Sequence, residues 1–150
     1  MELDEIIEVA EAEYMEEAKQ KYRQVIKRKI YAILMYAKQH DIDIPLRFIA
    51  RKLGVDVKVV SSVAKDVKYI PNYIRMAKER FDLEEDTLRE LFTNNNPMVV
   101  MAGLEYLFTD KTQIEAAEEY GVSSVAMRKF LNRVFGTSKK KKIFELGVEV

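Results

Sequence analysis

Apolar residues recur at helical spacing along almost the whole chain. They fall at Leu3, Ile7, Ala10, Tyr14, Ala18, Tyr22, Val25 and Ile26, then at Ile30, Ile33, Leu34 and Ala37. Steps of three and four put such residues on one side of a helix. No Gly or Pro interrupts the stretch from Leu3 to His40, so one long helix and two joined helices fit equally well. His40 to Ile44 reads as a connector, with His40 at a helix end, where a cation suits the carbonyl dipoles. Pro45 suits the first turn of a new helix. The spacing then predicts helices over about 45–53 and 56–68. Pro71 ends one helix and can start the next. In the second half a helix over 72–81 is followed by one capped by Asp82 and running through Phe92. Thr93-Asn94-Asn95-Asn96-Pro97 is a turn-rich stop. A very apolar helix over 98–108 is expected to be the buried centre of this half, and helices over 112–120 and 123–135 complete it. Its counterpart in the first half is about 26–38, with Ala32, Leu34 and Tyr36 matching Ala102, Leu104 and Tyr106. No segment reads as a core strand, so the predicted fold is all-α.

A helix-turn-helix pattern occurs twice in this array. Ile49–Val63 reads IARKLGVDVKVVSSV, and Ala116–Phe130, 67 residues later, reads AAEEYGVSSVAMRKF. Without gaps Ala50 aligns with Ala117, Gly54 with Gly121, Val55 with Val122, Val60 with Met127 and Val63 with Phe130. Alanine lets two helices cross closely, and glycine takes the positive φ a tight turn needs. The later apolar residues pin the second helix on the first, leaving its outer face free to enter a major groove. Two copies in register indicate a duplicated unit.

Composition narrows the chemistry. With no cysteine and a single histidine, disulfides and Cys- or His-based metal sites are not expected. There is no P-loop, no Gly-rich dinucleotide turn and no nucleophile–base pair with a third group, so a non-enzyme without cofactors is expected. No apolar run reaches membrane-spanning length and the acidic N-terminus is no secretory signal. The expected setting is the cytoplasm, on the nucleoid. Net charge is zero, but it is segregated: residues 1–18 carry eight acids and no base, residues 19–38 seven bases and no acid, and residues 44–68 six bases against two acids. Lys139–Lys142 adds a basic run after the second copy. Gly136-Thr137-Ser138 and the lysines read as a flexible linker, and Ile143–Val150 as a tail or a short strand.

The order of a buried Ala/Leu/Tyr helix, a connector, a Thr-Gln helix, Gly-Val and a helix carrying Arg resembles the cyclin-box repeats of transcription factor IIB and of archaeal transcription factor B. The residues are Pro97–Leu107, Lys111–Ala117 and Gly121–Arg128. Tyr73–Glu85 resembles the first helix of the family's second repeat, and Ala32–Asp56 resembles its first. The likeness covers about 110 residues at low identity. It implies two cyclin-like repeats, each ending in a helix-turn-helix, and a DNA-binding transcription regulator of archaeal or archaeal-virus origin. Duplex DNA is the implied partner, with TATA-binding protein or another transcription component beside it. The chain departs from the family in having no zinc ribbon and no room for a reader segment. Its first repeat is short at the N-terminus, and its second connector is three residues shorter.

In the second copy the turn directs Ser123, Ser124, Val125, Arg128, Lys129 and Asn132 outward. In the family this helix reads a promoter element beside the TATA box, and Arg128 sits where the family commonly has Arg. Arg128 can pair with guanine O6 and N7, and Asn132 with adenine. Ser123, a plausible N-cap, and Ser124 suit phosphate, and Arg133 the backbone. In the first copy Asp56, Val57, Lys58, Ser61, Ser62 and Lys65 face out; Lys58, Ser61, Ser62 and Lys65 suit backbone contact. Arg47, Arg51, Lys52 and Lys68 widen that positive zone.

The expected organisation is an acidic-to-basic N-terminal helix (1–25), a shortened first repeat (26–70), a second repeat (71–136) and a basic tail (137–150). The alternatives are a cyclin-like adaptor that does not touch DNA and a nonspecific nucleic-acid binder. The acidic arm could bind a basic partner, pair with another copy as a homodimer, or cover the chain's own basic surface.

Overall fold

The computed structural model describes residues 2–146, and among these every regular element is a helix. The helices are α1 (Leu3–Lys21), α2 (Val25–Gln39), α3 (Leu46–Leu53), α4 (Val57–Val67), α5 (Tyr73–Phe81), α6 (Glu85–Phe92), α7 (Pro97–Phe108), α8 (Gln113–Glu119), α9 (Ser124–Phe135) and α10 (Lys140–Glu145). The chain divides into two compact units, Met1–Pro71 and Asn72–Val150. No helix among the described residues is long and apolar enough to cross a membrane.

In the first unit the stretch to His40 is two helices, not one. Tyr22 turns into extended backbone, and its carbonyl accepts from Arg28 Nε at 2.7 Å. With only residues 22–24 between them, α1 and α2 fold back as an antiparallel hairpin. Tyr31 on α2 accordingly reaches Glu17 on α1, donating its hydroxyl at 2.7 Å. Ile6, Ala10 and Ala18 are buried, while the carboxylates of Glu2, Asp4, Glu5, Glu8, Glu13 and Glu16 lie on exposed residues. The acidic segment is therefore no detachable arm but a wall of the first core. Leu3, Ile7, Val9, Tyr14 and Met15 of α1 pack partly buried against the same core. α4 packs on α2 and α3 over Ile49, Val60, Val63 and Ala64. His40 caps α2, its ring 4.2 Å from that of Tyr36.

In the second unit α7 is the buried centre, touching α5, α6, α8 and α9. Asn96 caps it by accepting from the Met98 and Val99 N–H groups, and Pro97 occupies its first turn, where no intrahelical N–H is needed. Asp82 does not cap α6. It closes α5 instead, in the left-handed region at φ 52°, with its N–H on the Lys78 carbonyl. Aspartate tolerates that conformation, and α6 begins only at Glu85, with Glu84 in the N-cap position. Gly103 lets α9 approach α7, since a Cβ at this position would stand 2.9 Å from the Phe130 ring. That ring is itself buried. Gly103→Ala should cost about 1 kcal/mol net: overpacking loses about 1–3 while helix propensity returns about 1. Urea unfolding would show it as a lower midpoint, and an unchanged midpoint would mean the ring yields freely.

The basic segment after α9 is not a flexible tail. Lys140–Glu145 is helical, Ile143 is fully buried, and the Phe144 ring meets Phe108 edge-on at 5.9 Å. Buried apolar side chains are worth about 1.5–3 kcal/mol each, enough to hold a short helix that propensity alone would leave frayed. The alternative of a strand over 143–150 fails at 143–145, which are helical; residues 147–150 lie outside the described residues.

Candidate nucleic-acid interface

Both copies of the repeated pattern build the same turn. Gly54 and Gly121 take φ 68° and 67°. The Val55 N–H bonds the Ala50 carbonyl at 2.9 Å and the Val122 N–H bonds that of Ala117 at 3.0 Å, while Gly54 and Gly121 donate to Arg51 and Glu118. This pair of bonds satisfies the last carbonyls of the first helix and needs a left-handed residue. Ala50 and Ala117 are buried, as are the matched pairs Val60 and Met127, and Val63 and Phe130.

The second helix of each copy starts on a capping side chain. Asp56 accepts from the Lys58 N–H at 2.8 Å, and Ser123 Oγ from the Ala126 N–H at 3.0 Å. Ser123 keeps its hydroxyl proton to donate. Upstream, Thr112 and Glu115 form a reciprocal capping box on α8. The caps hold the Glu115 carboxyl below the usual carboxylate range, first through its bond from the Thr112 backbone.

On α9, Met127, Phe130 and Leu131 are buried, while Val125, Arg128, Lys129 and Asn132 are exposed. Positions 125, 128, 129 and 132 are spaced three and four apart and form one stripe. Among the described residues no carboxylate pairs with Arg128 or Lys129. Ser124 is half-buried at the start of the helix. Arg133 is exposed, but its guanidinium donates to Asn95 Oδ1 in the loop before α7.

On α4, Lys58, Ser62 and Lys65 are exposed and Ser61 is half-buried. The surrounding charge is less free than its sequence reading. Lys52 pairs with Asp4 of α1 at 2.5 Å, and the Arg51 guanidinium lies 5.8 Å over the Phe48 ring. Asp66 accepts the Tyr22 hydroxyl at 2.6 Å. The first copy thus offers lysines and serines at the positions where the second offers valine, arginine, lysine and asparagine.

Beneath the second copy lies a buried polar group that the sequence reading passed over. Glu105, on α7, is completely buried. Arg80 of α5 grips it with two bonds, Nε to Oε1 at 2.6 Å and Nη2 to Oε2 at 3.0 Å. The Tyr120 hydroxyl donates to Oε1 at 3.0 Å, and Lys111 Nζ stands 3.8 Å from Oε2 while also pairing with Glu119. Tyr120 immediately precedes Gly121, so this network sits under the turn that aims α9. The signal was present: Glu105 is the one charged residue in Met98–Phe108.

Four tyrosines add a pH dependence, and burial followed by Glu13 raises Tyr14. Burial, then the Asp66 carboxylate, pushes Tyr22 up to about 12. Burial followed by Glu17 raises Tyr31, and burial followed by Glu105 raises Tyr120. A folded-state pKa above the unfolded value of about 10 means the native state holds its proton more tightly. For Tyr22 that stability is fully present below pH 10 and is lost as pH rises through about 12, and for Tyr31 and Tyr120 the loss extends to higher pH. Urea midpoints should fall over this window, and less steeply in Tyr120→Phe. Equal slopes would show that Tyr120 plays no part.

No protein-family model, curated protein or solved structure matches this chain.

Proposed function

We propose that the chain is a DNA-binding regulator whose second helix-turn-helix reads duplex sequence through α9, while the first supplies backbone contacts. The observation that carries this reading is the α9 stripe. Arg128, Lys129 and Asn132 share one exposed face, on a helix fixed from behind by Met127, Phe130 and Leu131. Arginine and asparagine are the side chains that pair bidentately with guanine and adenine edges. On α4, Lys58, Ser62 and Lys65 offer charge and hydroxyls without a base-reading fork, which suits phosphate. The resemblance to the cyclin-box repeats of transcription factor B points the same way and suggests promoter DNA.

Selection of bound duplexes from a random pool tests the reading. An enriched motif supports it, whereas recovery of unrelated duplexes with equal affinity would favour a nonspecific binder. A second reading, an adaptor for a basic partner, is favoured by the exposed acidic face of α1. Because α1 also supplies core residues, it is tested by Glu5→Gln, Glu8→Gln and Glu13→Gln together rather than by deletion. An adaptor loses its partner in this variant and shows no salt-dependent duplex binding.

A further inference from the structure

The lysine run at the end of the chain is held in place by bonds a solubilising tail does not need. Beyond the burial of Ile143, the Ser138 carbonyl accepts from Gln113 Nε2 at 3.0 Å and from the Tyr106 hydroxyl. The Lys140 N–H donates to Tyr106 Oη at 3.2 Å, and Lys140 Nζ to the Thr109 carbonyl at 2.8 Å. α10 is thereby fixed to the end of α7 and the start of α8. The other lysines of the run, Lys139 at the N-cap and Lys141 and Lys142 in the helix, are exposed, and no carboxylate pairs with them among the described residues. Elsewhere in the unit Arg80, Arg89 and Lys111 each have an acid partner.

The distance to α9 is short. α9 has 12 residues and is about 18 Å long. A major groove is about 12 Å wide, so a helix lying across it reaches the phosphates at its edge. The four residues from Gly136 to Lys139 can span at most about 14 Å. The lysine run therefore begins within about 14 Å of the end of α9.

We propose that α10 is a preformed phosphate grip, in which Lys139, Lys141 and Lys142 hold the duplex backbone next to the segment read by α9. This rests on the duplex-binding reading above. Each lysine that neutralises a phosphate adds about 0.9 to the steepness of log affinity against log salt. Docking removes the ordering entropy a free tail would lose on binding.

The test is fluorescence anisotropy of the full chain on a labelled duplex across a potassium chloride series. Lys139→Gln, Lys141→Gln and Lys142→Gln together should make the slope shallower by about 2.7, with the preferred sequence unchanged. Ile143→Ala with Phe144→Ala keeps the charges but frees the helix, and should weaken binding several-fold. If the original chain binds and the glutamine variant keeps its slope, the grip is wrong while duplex binding stands. If the freed helix binds as tightly as the docked one, the lysines act as a loose tail and the proposal is overturned. If the original chain binds no duplex, both readings fall. Lysine-dependent binding to anionic vesicles with an unchanged duplex slope would assign α10 to a membrane surface instead.

Discussion

Replacing Arg80 with methionine should destabilise the second unit by about 3 kcal/mol. The reason lies in the partner. Glu105 has no solvent access, and the bidentate guanidinium is its main compensation. Without Arg80 the carboxylate keeps the Tyr120 hydroxyl and a lysine at 3.8 Å, which is why the loss lies at the lower end of the range for a broken buried pair. The opposite substitution should be milder. Glu105→Gln still accepts from Tyr120, and the Arg80 side chain, 47% exposed, can return to water. Its expected cost is about 1–2 kcal/mol. A third variant separates charge burial from lost packing. At the sequence-matched positions of the first unit stand two apolar residues, Met35 and Leu53. Arg80→Met, Glu105→Met and Tyr120→Leu combined should recover most of the stability lost in Arg80→Met, because apolar replacement of a whole buried ionic group is often near neutral. Urea unfolding of the three variants decides it. Equal losses in Arg80→Met and Glu105→Gln would show that Glu105 is not the residue at stake.

Arg128→Ala should reduce discrimination at one base pair by about 1–3 kcal/mol, which is about 5- to 150-fold in affinity ratio. Arg128 is exposed on α9 and no carboxylate competes for it among the described residues. Truncation should leave the fold intact, since Met127, Phe130 and Leu131 hold the helix from the other side. The signature is local: the selected motif blurs at one position and keeps its other preferences. Arg133→Ala gives the contrast. Its guanidinium is engaged by Asn95, so it should change stability slightly and the motif not at all. A uniform loss across all sequences in Arg128→Ala would make Arg128 a phosphate contact and remove it from base reading.

Much of the architecture was legible in side-chain periodicity. Helices over 45–53, 56–68, 98–108, 112–120 and 123–135 were expected and occur within two residues of those limits. Helix ends are local events, and Asn96, Pro97, Thr112, Ser123 and the two glycines act within one turn of their own positions. Asp82 shows the limit of local rules, because the same residue type can cap a following helix or close a preceding one. The stripe on α9 was also readable, because a helix of known phase with one apolar face has only one other face to offer.

What the sequence by itself determined is an all-helical chain with two copies of one turn, each set by a glycine whose left-handed backbone no neighbour could change. Tertiary structure alone decided the break after Lys21, the pairing of Arg80, Tyr120 and Lys111 around Glu105, and the conversion of the lysine tail into a docked helix. The Glu105 cluster and the docked helix join residues distant in the chain, Arg80 to Glu105 and Gln113 to Ser138, whereas the break after Lys21 is secured by Arg28 only six residues beyond Tyr22. The physical reason is common to all three. A backbone or charged group taken out of water must find a partner, and which partner is within reach is fixed only when the helices have packed.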